Sequence, residues 1–335
     1  MDQAQLNYFL YAHHLASADE NSCWTPLTGG VSSEIWRVDL PGRTLCVKRA
    51  LPRLNVADVW EAPVSRNTYE WQWLSFAAEC RPEAVPRPIA HDPKAGLLAM
   101  SYLPPEHYPS WKAQLMDGTV LPSVASHVGS ALAAFHQISA KRHDLAQIFD
   151  SLTNFCALRI DPYFLATGER HPDLAERLQA LAARTCGTFL ALVHGDVSPK
   201  NILVGPCGPV FLDAECAWYG DPAFDLAFCL NHLLLKTLIR RDCAPLLVQS
   251  FAYLAEAYFD QVDFEPRVSL ETRVAELLPA LMLARVDGKS PVEYLSGKTR
   301  EQDLVRRVAR SLLSAPLTKL TSVASAWLTG ISVLS

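Results

Sequence analysis

The stretch "LVHGDVSPKNILVGPCGPVFLDAE", residues 192–215, contains the polar residues from which the fold and the chemistry of the chain are inferred. Two short apolar runs flank a loop that holds His194, Asp196 and Asn201, and a third apolar run leads to an Asp-x-Glu pair. Short apolar runs that are separated by Gly and Pro predict β-strands. The stretch therefore predicts that ligands for a proton or a cation cluster at strand ends.

The spacing of these residues indicates their chemistry. A turn can bring the side chains of Asp196 and Asn201 to one site, and an extended strand would aim Asp213 and Glu215 to the same face. One carboxylate can accept a hydroxyl proton while a second carboxylate and an amide oxygen hold Mg²⁺, which prefers oxygen ligands. Singly, such residues are ordinary turn residues. Jointly, H-x-D-x-x-x-x-N followed by D-x-E predicts phosphoryl transfer.

Length and composition indicate a globular protein with a small-molecule partner. The 335 residues are enough for two lobes, half of them are hydrophobic, and 19% are charged. The net charge of -5 argues against nucleic acid and against a membrane surface, because such partners usually require a basic field. We leave a homodimer open.

The cysteines and the N-terminus favour a cytoplasmic location. The chain has 9 cysteines without any C-x-x-C pair, which is typical of reduced thiols. No basic residue precedes the first apolar residues, as a secretory signal would require, and no apolar run approaches the ~18 residues of a membrane span.

The first hundred residues predict a small antiparallel sheet with one packed helix. Strands are expected in "EIWRVDL" (34–40), in "GRTLCVKRAL" (42–51) and in "LLAMSYLP" (97–104), and a helix is expected in "SRNTYEWQWLSFAAE" (65–79). After the double proline at 104–105 the pattern becomes helical.

Helices are predicted at about 123–139, 222–240, 244–260, 268–285 and 298–313. The fold class is therefore α+β, with two lobes: residues 1–103 as a nucleotide-binding lobe and residues 104–335 as a helical lobe. A hinge near 101–105 would join them.

The motifs "HGDVSPKN", "LDAE" and "YGDPAFDLA" resemble those of the aminoglycoside phosphotransferase and choline kinase family, whose fold is similar to that of protein kinases. The resemblance extends from about residue 25 to about residue 295, and within the family the N-terminal half is similar to the methylthioribose kinases. It implies ATP and Mg²⁺ as cofactors, Asp196 as the catalytic aspartate, and Asn201 and Asp213 as metal ligands.

The resemblance also implies that the first lobe supplies the nucleotide contacts. Lys48 would hold the phosphates, and Glu70 on the following helix would position its ammonium. A solvated strand lysine and an exposed helix glutamate are the ordinary alternatives, and Glu61 and Glu79 lie near Glu70 in sequence.

Two further segments are expected to contact ATP. The turn in "LTGGVSSEIWRV" (27–38), with Ser32 and Ser33, would cover the phosphates with backbone N–H groups, although a plain hairpin is the alternative. Ser101 and Leu103 fall where such kinases hydrogen-bond adenine.

Asp225 matches the family aspartate that supports the catalytic loop, so we expect it to bind the backbone of His194 and Gly195. Asp221 with Pro222 predicts a helix start, and His136 is expected to be a core histidine.

The segment "ARVDGKSPVEYL" (284–295) is open to two interpretations. Ser290 and Glu293 match a helix capping box. Arg285, Asp287 and Lys289 are instead placed to reach the acceptor site.

The predicted function is transfer of the γ-phosphate of ATP to a hydroxyl of a small molecule, which is a sugar-like metabolite, an amino alcohol or an aminoglycoside. A protein acceptor is disfavoured because Gly195 and Asp-Ala-Glu stand where protein kinases have arginine and Asp-Phe-Gly. The alternative is a catalytically inactive, nucleotide-binding regulatory module, which is disfavoured because Lys48, Asp196, Asn201 and Asp213 are all present.

Overall fold

The structure, a computed structural model, describes residues 3–17, 19–27, 33–52 and 63–332. A five-stranded antiparallel sheet with the order β1-β2-β3-β5-β4 lies in the first hundred residues. Its strands are β1 (Cys23–Leu27), β2 (Ser33–Leu40), β3 (Arg43–Ala50), β4 (Pro88–Asp92) and β5 (Leu97–Ser101). The predicted strands at 34–40 and 42–51 are confirmed as β2 and β3. The strand predicted at 97–104 forms β5 and ends at Ser101.

The two faces of the central strand β3 pack against different parts of the molecule. A two-residue turn at Pro41 and Gly42, where Gly42 has a φ of +73°, leads from β2 into β3. Successive side chains of a strand point to opposite faces. Val47 therefore packs on one face of the sheet, whereas Cys46 and Lys48 point to the other face.

Two helices cover the two faces of this sheet. The helix α1 (Gln3–Ala12) buries Phe9 and Leu10 against the face that contains Val47. The helix α2 (Arg66–Cys80) lies on the opposite face and confirms the helix predicted at 65–79. The sequence pattern predicts one helix in this part of the chain. The additional helix α1 was not predicted because its amphipathic pattern is weak.

A run at i, i+3, i+4 and i+7 forms the buried stripe of α2. It consists of Glu70, Trp73, Leu74 and Ala77. This spacing points Glu70 in the same direction as the apolar residues of the stripe, and therefore toward the sheet. The stripe thus places a carboxylate in an interior position beside Lys48.

The remainder of the chain is mostly helical, and all five helices predicted there are present. The helices are α3 (Trp111–Asp117), α4 (Pro122–Ser139), α5 (His143–Ile148), α6 (Leu152–Phe155), α7 (Ala166–Arg170), α8 (Ala175–Cys186), α9 (Ala223–Lys236), α10 (Ala244–Phe259), α11 (Arg267–Asp287), α12 (Thr299–Ser314) and α13 (Leu320–Ser332). A π-helical segment, Cys156–Leu165, connects α6 to α7. Every residue of α9 is buried, so α9 is the central helix of this half.

Two short, two-stranded antiparallel sheets interrupt the helices and hold the polar loop. Strand β6 (Ala191–Val193) pairs with β9 (Trp218–Gly220), and β7 (Ile202–Gly205) pairs with β8 (Gly208–Phe211). The loop 194–201 joins β6 to β7, and the segment 212–217 joins β8 to β9. Both polar segments of the opening motif therefore connect the same two small sheets.

The sheet and the helical half form the two lobes of the predicted α+β fold. We propose that the first lobe ends near residue 103, because β5 is the last strand of the large sheet and α3 begins at Trp111. Among the helices that the structure describes, none is both long and apolar enough to cross a membrane.

Candidate active site

The loop between β6 and β7 is held by the buried carboxylate of Asp225. The backbone N–H of His194 donates to Oδ2 of Asp225 at 2.7 Å, and the N–H of Gly195 donates to Oδ1 at 2.8 Å. His136 lies behind this carboxylate, with Nε2 at 3.3 Å from Oδ2 and Nδ1 at 2.8 Å from the hydroxyl of Tyr258. Asp225 thus has the loop contacts expected of it, and His136 is a buried, hydrogen-bonded core residue.

Gly195 allows the loop to turn tightly at this point. Its φ is +78°, and a Cβ at this position would lie 2.6 Å from the carbonyl oxygen of Cys216. Residues with a side chain rarely adopt such a φ, and no atom fits at that distance. The glycine therefore fixes the direction of the next residue, Asp196.

His194 supports the loop through its neutral imidazole ring. Its Nδ1 accepts from the N–H of Asp196 at 3.2 Å, and its Nε2 donates to the carbonyl of Leu212 at 3.1 Å. Burial lowers the pKa of His194 below its ordinary value, which agrees with this tautomer. The ring links the loop to the segment that contains Asp213.

Two side chains orient the carboxylate of Asp196. Asn201 donates through Nδ2 to Oδ2 at 2.7 Å, and Nη2 of Arg159 lies 2.9 Å from Oδ1. Arg159 also donates through Nε to the carbonyl of Gly195 at 2.6 Å. Although burial opposes the charged form, the Asp196 carboxylate keeps the pKa of Arg159 above its ordinary value. Asp196 is therefore a fixed carboxylate at the wall of a cavity.

Lys48 lies between two carboxylates from distant parts of the chain. Its Nζ is 2.8 Å from Glu70 and contacts Oδ1 of Asp213. Burial favours the neutral amine, but Asp213 and Glu70 outweigh it and raise the pKa of Lys48. Burial, together with Asp213 and Glu215, raises the pKa of Glu70 to about 7 against the effect of Lys48. The structure thus brings together the predicted Lys48, Glu70 and Asp213.

The prediction that Asp213 lies on an extended strand is wrong. Strand β8 ends at Phe211, and Asp213 has a left-handed φ of +68°. The turn directs Asp213 to Lys48, whereas Glu215 pairs with Nε of Arg66 at 3.0 Å. Both carboxylates still line the cavity that contains Asp196. Although burial opposes ionisation, Lys48 and then Lys200 hold the pKa of Asp213 below its ordinary value.

The other predicted nucleotide contacts are Ser32, Ser33, Ser101 and Leu103. Ser33 is buried at the start of β2, and Ser32 lies outside the described residues. Ser101 exchanges two hydrogen bonds of 2.9 Å with the backbone of Arg87. Ser101 and Leu103 line a separate recess and do not border the cavity of Asp196.

The cavity beside Asp196 has a volume of about 760 Å³, including the space open to solvent, and its wall is largely charged. Cations and aromatic rings of the helical half complete it; they are Lys112, Arg159, Tyr163, Lys200, Phe228, His232, Lys236, Arg285 and Tyr294.

The segment 284–295 contributes to the cavity, but only in part as predicted. Arg285 lines it and donates through Nη1 to the hydroxyl of Tyr163 at 2.8 Å. Asp287 instead pairs with His171 and Arg306, and Lys289 is exposed outside the cavity lining.

The capping box predicted at Ser290 is wrong. No α-helix begins there, only the single turn Glu293–Leu295, and Ser290 Oγ accepts from Arg285 at 3.1 Å. Ser290 and Glu293 both line the cavity.

Several cavity residues were not predicted from the sequence, among them Arg159, His232 and Lys236. A signal for two of them was present, because His232 and Lys236 stand four residues apart in a helix that is mostly apolar. A buried helix contains a charged residue only where that residue has a partner or a function.

Carboxylate and amide oxygens are the donors that the site offers to a divalent cation. Within the described residues, no three His, Cys, Asp or Glu side chains form a group that could hold a metal. Mg²⁺ in nucleotide sites needs only one or two protein ligands, because water and phosphate oxygens supply the others. Asp213 and Asn201 fit that requirement.

Comparisons with known proteins identify relatives in sequence and in fold. A methylthioribose kinase of Bacillus cereus (strain AH820) is 26% identical over 235 residues, which cover 62% of this chain and 59% of that relative. The chain therefore matches less than two thirds of the length of this relative.

Among solved structures, a choline/ethanolamine kinase family protein from Mesorhizobium loti has a TM-score of 0.58 and 17% identity, covering 98% of this chain and 99% of that chain. A macrolide 2'-phosphotransferase from Brachybacterium faecium has a TM-score of 0.53 and 20% identity, covering 94% and 99%. At these identities the likeness shows the fold. A family model described as "Phosphotransferase enzyme family" matches residues 24–264, which is more than two thirds of the chain. The chain belongs to this phosphotransferase enzyme family.

Proposed function

We propose that the protein transfers the γ-phosphate of ATP, in the presence of Mg²⁺, to a hydroxyl group of a small molecule. The observation that carries this proposal is that Asp196 and Asp213 line one cavity, with Asn201 hydrogen-bonded to Asp196 and with Lys48 paired to both Asp213 and Glu70. Membership of the phosphotransferase family supports the same reaction.

Lys48, Asn201 and Asp213 would form the nucleotide side of the site. Lys48 is positioned to bind phosphate oxygens while Glu70 keeps its ammonium in place. Asp213 and the side-chain oxygen of Asn201 would hold Mg²⁺, which neutralises the charge of the phosphates when it is bound. Asp213 contacts Lys48 directly in the structure, so both residues already point to one place.

Asp196 would orient the acceptor hydroxyl and take its proton. As the bond from the acceptor oxygen to the γ-phosphorus forms, the bond from that phosphorus to the bridging oxygen breaks, and ADP leaves. Arg159 and Asn201 hold the two carboxylate oxygens of Asp196 and keep the group in one orientation. Such positioning is a large part of catalysis in this reaction class.

The proposed acceptor is a small molecule because the cavity is enclosed by charged and aromatic side chains of the helical half. The name of the methylthioribose kinase relative is consistent with a hydroxylated small molecule as acceptor.

ADP release and nucleotide binding test the proposal together. Wild-type protein is incubated with ATP, Mg²⁺ and a panel of hydroxylated metabolites, and its thermal stabilisation by ATP is measured with and without Mg²⁺. We expect Mg²⁺-dependent stabilisation and acceptor-dependent release of ADP. Stabilisation by MgATP without ADP release from any acceptor would instead support the regulatory module.

A further inference from the structure

All the carboxylates that line the cavity of Asp196 already have a cationic partner. The pairs are Asp196–Arg159 at 2.9 Å, Glu215–Arg66 at 3.0 Å, Asp213–Lys48 and Glu293–Lys112. The cavity lining within the described part of the chain therefore has no carboxylate left over for a further cation.

Lys236 is a buried cation in this lining. It belongs to the last turn of α9, it is 1% exposed, and its Nζ lies 4.8 Å from the ring centroid of Tyr294. Across the residues that the structure describes, its ammonium has neither a hydrogen bond nor a carboxylate partner. A buried charge without a partner is costly. Burial, and then the charge of Lys112, lowers the pKa of Lys236 to about 7.

Arg285 is a second cation of the same wall. It lies in the last turn of α11, and its Nη1 binds only neutral oxygens of Tyr163 and Ser290. In the described ranges it has no carboxylate partner, and its buried Nε has no hydrogen-bond acceptor. Burial, followed by Arg285 and Lys236, lowers the pKa of His232 well below its ordinary value. This wall of the cavity therefore carries a net positive charge.

The cationic wall is separate from the residues assigned to the nucleotide. Lys48 reaches Asp213 from the large sheet, whereas Lys236 and Arg285 come from two helices of the other lobe. The exposed Lys200 adjoins Asn201 in the loop. It can serve the transferred phosphate and is therefore not counted as part of the cationic wall.

We propose that the acceptor carries an anionic group, a carboxylate or a phosphate, which Lys236 and Arg285 bind while Asp196 receives the hydroxyl. This inference rests on the proposed phosphotransfer. An anion would supply the partner that both cations lack, and charged hydrogen bonds of this kind are the strong ones. An amino alcohol or an aminoglycoside would instead place a further cation against the wall, which disfavours it.

Matched acceptors test the charge of the substrate. One set is glycerol, glycerate, glycerol 3-phosphate and 2-amino-1,3-propanediol, and a second set is glucose, gluconate, glucose 6-phosphate and glucosamine. With ATP and Mg²⁺, we expect an anionic member of a set to exceed its neutral and cationic members by at least about 10-fold in kcat/KM. The acid and phosphate arms distinguish the two anions. A neutral or cationic member that is turned over best would overturn the inference while leaving the phosphotransfer intact.

The variant Lys236→Met links this preference to the wall. We expect kcat/KM for the anionic acceptor to fall about 10- to 100-fold, and that for the neutral analogue to fall by a clearly smaller factor. Lys236→Arg should retain the preference, and Lys298→Met, which removes an exposed lysine at the start of α12, should behave as wild type. MgATP binding by calorimetry should be the same in Lys236→Met and wild type. Weaker MgATP binding would assign the wall to the nucleotide and overturn the inference.

Two thermal measurements separate failure of the inference from failure of the phosphotransfer. Lys236→Met should raise the melting temperature of the free protein, because it removes an unpaired buried charge, whereas a merely structural lysine would lower it on removal. Should no acceptor release ADP, stabilisation of wild type but not of Lys236→Met by gluconate or glucose 6-phosphate would retain the anion site and refute the transfer. Absence of both effects would refute the anion site.

Discussion

Arg159 and Asp196 form an ion pair in the lining of the cavity, with 2.9 Å between Nη2 of Arg159 and Oδ1 of Asp196. The same guanidinium donates to the carbonyl of Gly195, so one side chain holds two successive residues of the loop. Arg159 comes from the π-helical segment, which is an irregular element often found at functional sites. We infer that Arg159 positions the carboxylate of Asp196, the group proposed to be catalytic.

Arg159→Met should therefore reduce kcat and leave nucleotide binding intact. Releasing one oxygen of Asp196 permits the carboxylate to rotate, and misplacement of this kind can lower the rate on the order of 10²-fold. Steady-state kinetics should show that KM for ATP is unchanged. Arg142→Met, which removes an exposed arginine paired only with Asp144, is the matched control. An unchanged kcat in Arg159→Met would show that Asn201 alone orients Asp196.

Asp225→Ala should lower the stability of the protein as well as its activity. The backbone N–H groups of His194 and Gly195 would lose their buried acceptor, at ~1 to 3 kcal/mol for each unsatisfied group. Urea unfolding of the variant measures this loss, and Asp144→Ala, at an exposed aspartate, serves as the control. A variant of normal stability that fails only in acceptor affinity would place Asp225 in contact with substrate.

The residues that could be predicted from sequence are those whose geometry is local. The loop from His194 to Asn201 is short, so its spacing alone brings Asp196 and Asn201 together. Helical periodicity similarly defined α2, and alternation defined β2 and β3. The resemblance to a known family supplied the assignment of Lys48 and Asp213 to one nucleotide site, although they are separated by 165 positions; their direct contact was not predicted.

The residues that were missed depend on tertiary packing. Arg159 lies in a π-helical segment that has no sequence pattern of its own. Lys236 lies at the end of a helix whose mostly apolar sequence predicts a core helix. Ser290 matched a capping box, but Arg285 binds its side chain and no α-helix follows directly. The expected extended geometry at Asp213 failed because the chain turns with a positive φ immediately after β8.

The depressed pKa of Lys236, about 7, predicts a pH dependence of acceptor binding. As pH rises through this value the free amine loses its charge, so KM for an anionic acceptor should increase above about pH 7. The groups that act on it are Lys112, Glu293, Cys229 and Arg285, and the ring of Tyr294 faces it. Lys236→Arg should abolish this dependence. A KM that stays equally flat in wild type and in Lys236→Arg from about pH 6 to about pH 9, a range that brackets the pKa of Lys236, would contradict it.

The same pKa predicts how stability changes with pH. Because the pKa of Lys236 is lower in the folded protein than its ordinary value of 10.5, the unfolded chain binds more protons between these values. Stability from this group therefore rises with pH above about 7 and is least below it. The excess stability of Lys236→Met over wild type should shrink as pH increases across this window, as measured by urea unfolding. A constant difference would show that the ammonium is not titrating.

Calorimetric titration of Asp196→Asn and Asp213→Asn with ATP, each with and without Mg²⁺, tests the proposed division of roles most directly. Both changes conserve shape and remove one charge. Asp196→Asn should bind MgATP as wild type does while releasing almost no ADP with any acceptor, because the metal is held elsewhere. Asp213→Asn should bind ATP with little dependence on Mg²⁺, because a charged metal ligand is lost. Loss of Mg²⁺-dependent binding in Asp196→Asn, with its retention in Asp213→Asn, would contradict the account.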